Sequence, residues 1–197
     1  MLHRSLIKPA LAGLLIALTS GQASAHVGHG DVEGLMHGFL HPIGGLDHLL
    51  AMVAVGLLAA LLGGRALWMV PAAFLAMMAA GAGLAMAGFE LPFVELGISA
   101  SVVALGVAVA FRIPLPVIAA MGIAGFFAVF HGAAHGAEMP VDASGANYAA
   151  GFLAATALLH LAGIGIGMGL SRLVSNRDAM SRLAGGAIAV AGLYLAV

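Results

Sequence analysis

No cysteine occurs among the 197 residues, so disulfides and thiolate metal sites are both excluded; any metal must be held by nitrogen, oxygen or thioether. Charge is scarce as well, with 8% of residues Asp, Glu, Lys or Arg against roughly 25% in an ordinary soluble domain. Seven Lys/Arg against eight Asp/Glu leave no basic surface able to hold a phosphate backbone, which argues against a nucleic-acid partner. What is plentiful is apolar: 62% of the chain is hydrophobic, with 29 glycines and 11 methionines. This is not the composition of a soluble globular domain. Against that background nine histidines stand out.

Residues 1–25 read as a signal peptide. Arg4 and Lys8 form a positive n-region, Ala10 to Leu18 an apolar stretch too short to span a bilayer, and Ala23-Ser24-Ala25 an A-x-A cleavage site. An uncleaved anchor helix is the alternative. Removing the segment would leave five Arg, no Lys and eight acids, a formal net charge of −3, and the chain would begin His26-Val27-Gly28-His29 on the far side of the membrane.

After a periplasmic segment, residues 26–40, the sequence predicts an all-α, polytopic bundle of six transmembrane helices over 41–197. The apolar stretches run from His41 to Leu62, Ala66 to Gly88, Val94 to Phe111, Leu115 to Gly136, Tyr148 to Leu170 and Ala179 to Val197. The last is short, with 15 residues beyond Arg182. With the mature N-terminus outside, Arg65, Arg112, Arg172, Arg177 and Arg182 all fall in loops facing the cytoplasm. Asp31, Glu33, Glu90, Glu95, Glu138 and Asp142 fall on the opposite side. The positive-inside rule and the leader thus give one orientation, an inner-membrane protein with both mature termini periplasmic. Gly163, Gly165, Gly167 and Gly169 form interleaved G-xxx-G spacings, suited to close intramolecular packing or, as the alternative, to a homo-oligomer interface.

The polar residues within these spans carry the chemistry. At the first, His37 just before it and His41, His48 and Met52 within it share one stripe at helical spacing; Pro42 suits a first helical position, and Gly44-Gly45 weakens the helix. Asp47 lies off that stripe, where a lone carboxylate costs on the order of 2.5–3.5 kcal/mol. In the fourth span His131 and His135 are spaced i, i+4 and face one way, with Glu138 beyond them. His160 falls near the middle of the fifth, a lower station on a path. Taken singly these residues have plain readings: His37 at an interface, His26 and His29 in a solvated tail, Met52 in packing, Glu138 as an outer-face charge. Asp47, His41, His48, His131, His135 and His160 together in apolar spans point to a metal. Imidazole and carboxylate without thiolate fit Ni, Co, Zn or Cu(II).

The chain resembles the HupE/UreJ family of membrane proteins in His41-Pro42, Gly45, Asp47-His48 and Met52, and in Phe130-His131-Gly132, His135-Gly136 and Glu138. The leader, the His26 start and the six spans add to the likeness. The resemblance implies a nickel permease accessory to hydrogenases or ureases, taking up Ni²⁺, or Co²⁺, across the inner membrane for downstream nickel-enzyme maturation. The residues alone reach only a histidine-lined path for a divalent cation. No tightly bound cofactor is expected, the ion being the cargo. On this reading the outer acids and the His26/His29 tail concentrate cations. The site at His41, Asp47, His48, His131 and His135 replaces the hydration shell, and His160 passes the ion on. Since imidazoles titrate at about pH 6.5, uptake should fall below about pH 6 outside. The competing readings are an intramembrane zinc hydrolase on the same residues and a bis-histidine haem protein.

Overall fold

The structure, a computed structural model, describes residues 31–139, 144–173 and 177–196. The expected leader, His26 and His29 lie outside the described residues. Those described form seven helices and no strand: α1 (Asp31–Gly44), α2 (Leu46–Leu62), α3 (Ala66–Met86), α4 (Val94–Ala110), α5 (Val117–Glu138), α6 (Ser144–Leu173) and α7 (Arg177–Leu195).

Helix α2 occupies the centre of the bundle. Beyond its first turn, which carries Asp47 and His48, it is apolar all round, as a helix enclosed by others must be, and Ala51, Met52, Ala54, Val55, Leu58 and Ala59 are completely buried. Around it α3 packs along α5, α4 along α7, and α6 along both α1 and α2. Small residues permit these approaches, because apolar side chains gain little by leaving lipid and close backbone packing must supply the attraction. A Cβ at Gly132 would collide with the carbonyl of Met78, and one at Gly136 with that of Ala82; these two glycines seat α5 on α3. The glycine run of α6 is divided. Gly163 meets Val53 and Gly167 meets Ala60 of α2, whereas Gly165 and Gly169 have nothing within 4 Å. One of the two interleaved spacings is therefore spent inside the molecule.

Helices α3, α5 and Gly145–Gly169 of α6 are long and apolar enough to cross a membrane. The broken pair Gly34–Gly44 and Leu46–Leu62 makes a fourth candidate if taken as one span. Helix α4 is apolar but 17 residues long. The outward face fits an apolar surrounding: Trp68, Phe89, Phe126, Leu161, Leu183 and Val190 are all exposed. At one end Arg112 pairs with Asp178 (Nη1 to Oδ1, 3.2 Å) and donates to Ser181 Oγ at 3.4 Å, placing the turn before α5 beside the start of α7.

The first span departs from the sequence expectation. Instead of one helix from His41, the chain is helical from Asp31, breaks at Gly45, and resumes at Leu46 with a bend of 82°. Gly45 takes an extended conformation (φ −94°, ψ 118°), so the helical bond pattern ends there and a new one starts, with Leu49 N–H donating to the Gly45 carbonyl at 2.9 Å. Pro42 is likewise not at a first helical position but inside the last turn of α1, where its missing N–H weakens the helix just before the break.

Candidate metal site

The bend takes apart the single stripe expected for His37, His41, His48 and Met52, yet the fold brings most of its members back together. His41, from the end of α1, and His48, from the first turn of α2, both reach the imidazole of His135 on α5. The ring centroids lie 4.8 Å and 4.4 Å from it. His131, one turn earlier on α5, lies 4.7 Å from His48. His131 and His135 face inward together, as their i, i+4 spacing dictates, and both are buried along with His48.

Glu138 closes the cluster at its exposed end. Its Oε2 is 3.2 Å from His41 Nε2, and donor atoms of His41, His135 and Glu138 all lie within 4.8 Å of one another, close enough to share an ion. Asp47 stands behind His48: Oδ1 accepts the Nδ1–H of His48 at 2.8 Å and its backbone N–H at 2.7 Å. This is the arrangement by which a carboxylate orients a metal-ligating imidazole and strengthens it as a donor.

The remaining residues take outlying places. His37 is exposed at the rim, 6.2 Å from His41 and 5.6 Å from Tyr148 between ring centroids. Met52 is buried in the apolar core. His160 is buried too, but separated from the cluster by Phe74, whose ring centroid is 5.5 Å from that of His131 and 5.1 Å from that of His160.

Buried ring nitrogens without a hydrogen-bond partner mark the cluster, namely His48 Nε2, His131 Nδ1 and both nitrogens of His135, and recur at both nitrogens of His160 beyond Phe74. Each buried, unpaired polar atom costs about 1–3 kcal/mol, and a cation can relieve this at one nitrogen of each neutral ring by accepting its lone pair, the other nitrogen carrying the hydrogen.

Four neighbours gave no signal in the sequence. Phe152 lies 4.0 Å from His135, and Tyr148, one turn before it, packs on His41 at 5.8 Å, both measured between ring centroids. Phe74 fills the gap described above. Ser101 of α4 meets His131, with Nε2 to Oγ at 2.9 Å. Serine or phenylalanine in an apolar helix is ordinary, and only interhelical contact distinguishes these.

The sequence matches the family described as HupE / UreJ protein over residues 14–195. It is 47% identical over 176 residues to Protein HupE of Rhizobium leguminosarum bv. viciae, a span covering 89% of this chain and 90% of that protein. No solved structure matches it. With nearly its whole length matched, and with the His/Asp/Glu positions that carried the resemblance gathered about one spot, the chain belongs to the HupE/UreJ family.

Proposed function

We propose that this protein is an inner-membrane permease that takes up a divalent transition-metal ion, Ni²⁺ first and Co²⁺ second, and supplies it to the maturation of a nickel enzyme. The bent pair α1–α2 counts as the first of six spans, with α3 to α7 as the others. The Arg-bearing turns and helix ends face the cytoplasm, and both mature termini and the Glu138 end face the periplasm. An ion enters at His41, His135 and Glu138. It exchanges its water for the imidazoles of His48 and His131 and passes Phe74 to His160. The protein acts as a carrier and not as a catalyst on this reading, which is supported by a further buried imidazole, that of His160, on the far side of Phe74 from the first cluster.

The observation that carries this reading is the convergence of imidazoles from α1, α2 and α5 at 4.4–4.8 Å between ring centroids, with unpartnered nitrogens, inside an apolar bundle. A nitrogen-rich site without thiolate suits nickel, cobalt and zinc better than calcium or magnesium, which take oxygen ligands. Open, multi-site coordination also suits passage, since a closed four-ligand cage would retain the ion.

The test is uptake of radioactive nickel by proteoliposomes holding the full chain. Wild type accumulates the ion, and Asp47→Asn and His131→Ala each lower the initial rate by about 10-fold or more. Absence of uptake by wild type ends the proposal. Wild-type rates in both variants remove the site.

A further inference from the structure

Ser101 is completely buried on α4, 30 residues along the chain from His131, the nearest residue that the sequence marks as a metal donor. Its neighbourhood follows from Gly97, one turn earlier on the same helix face. A Cβ at Gly97 would run into the ring of Phe130, so glycine there lets α4 close against α5 at the residue before His131. Ser101 Oγ then lies 2.9 Å from His131 Nε2 and 2.6 Å from the carbonyl of Ile98.

These two contacts fix where the protons sit. A carbonyl can only accept, so the serine hydroxyl spends its single hydrogen on Ile98. Toward His131 the same oxygen has only lone pairs left. A hydrogen bond there requires the proton on Nε2. A neutral imidazole carries one N–H, which leaves Nδ1 bare, and Nδ1 of His131 is the atom found buried without a partner. Across the cluster the opposite pattern holds. Asp47 takes the Nδ1–H of His48, and Nε2 of His48 is the bare, unpartnered atom.

We propose that Ser101 is a positioning residue that holds His131 in the Nε2–H tautomer and so keeps its Nδ1 lone pair available to the travelling ion. This rests on the uptake reading for its consequence, but not for its geometry. Without the serine the proton is free to occupy either nitrogen. In the Nδ1–H form the bare nitrogen points at α4, where an ion finds no second imidazole. A threonine keeps the hydroxyl at the same atom and preserves the effect; alanine abolishes it.

The test pairs a spectroscopic and a transport measurement on the full chain. In ¹⁵N-histidine-labelled protein in bilayers, protonated and bare ring nitrogens resonate at well-separated positions, and the His131 signals are assigned by their loss in His131→Gln. Wild type shows His131 in the Nε2–H form. Ser101→Ala shows a mixture or the Nδ1–H form, and Ser101→Thr restores the wild-type pattern. In proteoliposomes Ser101→Ala raises the KM for nickel about 10-fold, as loss of an orienting partner does, while Ser101→Thr stays within about 2-fold of wild type. A wild-type His131 protonated on Nδ1 overturns the proposal even if Ser101→Ala does not fold. So does Ser101→Ala with both the wild-type tautomer and the wild-type KM. If the tautomer responds as described but no form of the protein takes up nickel, the positioning role stands and the uptake reading falls.

Discussion

In the proposed site Asp47 supports the imidazole of His48 and is not itself the ion's ligand. Its Oδ1 is occupied by His48, so its charge acts on the ion through the imidazole. Asn in its place keeps an acceptor but loses the charge, while Ala loses both. Nickel affinity, measured by calorimetry on the purified chain, is therefore predicted to fall in the order wild type, Asp47→Asn, Asp47→Ala, over about 10- to 100-fold. An Asp47→Ala protein that binds as tightly as wild type contradicts this. At this scale the sequence marked the polar residues that gather at the cluster, Asp47 among them, but not the residues packed around them. His41, His48, His131, His135 and Glu138 were legible because polar groups are expensive in apolar spans. Ser101, Phe74, Tyr148 and Phe152 were not, because their significance lies in contacts with residues on other helices, as between Ser101 and His131.

The elements were legible through hydropathy and glycine spacing, their bends less so. The expected span from Ala66 to Gly88 is a helix from Ala66 to Met86, and that from Leu115 to Gly136 runs from Val117 to Glu138. The 82° break at Gly45 was not readable. Gly44-Gly45 permits a bend, but its angle is set by tertiary packing: α1 lies against α6, with Gly38 at Tyr148 and Gly151 at Leu35. The glycines of α6 offer a test of such packing. Leucine at Gly163 must displace backbone at Val53, whereas leucine at Gly165 enters open space. Overpacking of this kind costs about 1–3 kcal/mol, and about 2–4 °C is lost per kcal/mol in a chain of this size. Gly163→Leu is thus predicted to lower the melting temperature in detergent by about 5 °C, and Gly165→Leu to leave it unchanged. Equal destabilisation by both would show that Gly165 also faces a packed surface.

For the whole molecule, the account requires one orientation and one shared ion site. Orientation is accessible to chemistry because the native chain has no cysteine. Glu90→Cys in intact cells is predicted to react with a membrane-impermeant maleimide from outside, and Arg65→Cys only after permeabilisation; the reverse pattern overturns the proposed topology. The central claim is that imidazoles from two sides of the Gly45 break and from α5 hold the same ion. Nickel-edge X-ray absorption on the loaded, full-length protein tests it most directly. The account predicts an inner shell of nitrogen and oxygen with the outer-shell scattering of at least two imidazoles, reduced in His48→Ala and again in His135→Ala. A shell of oxygen alone, or one that neither substitution alters, would contradict it.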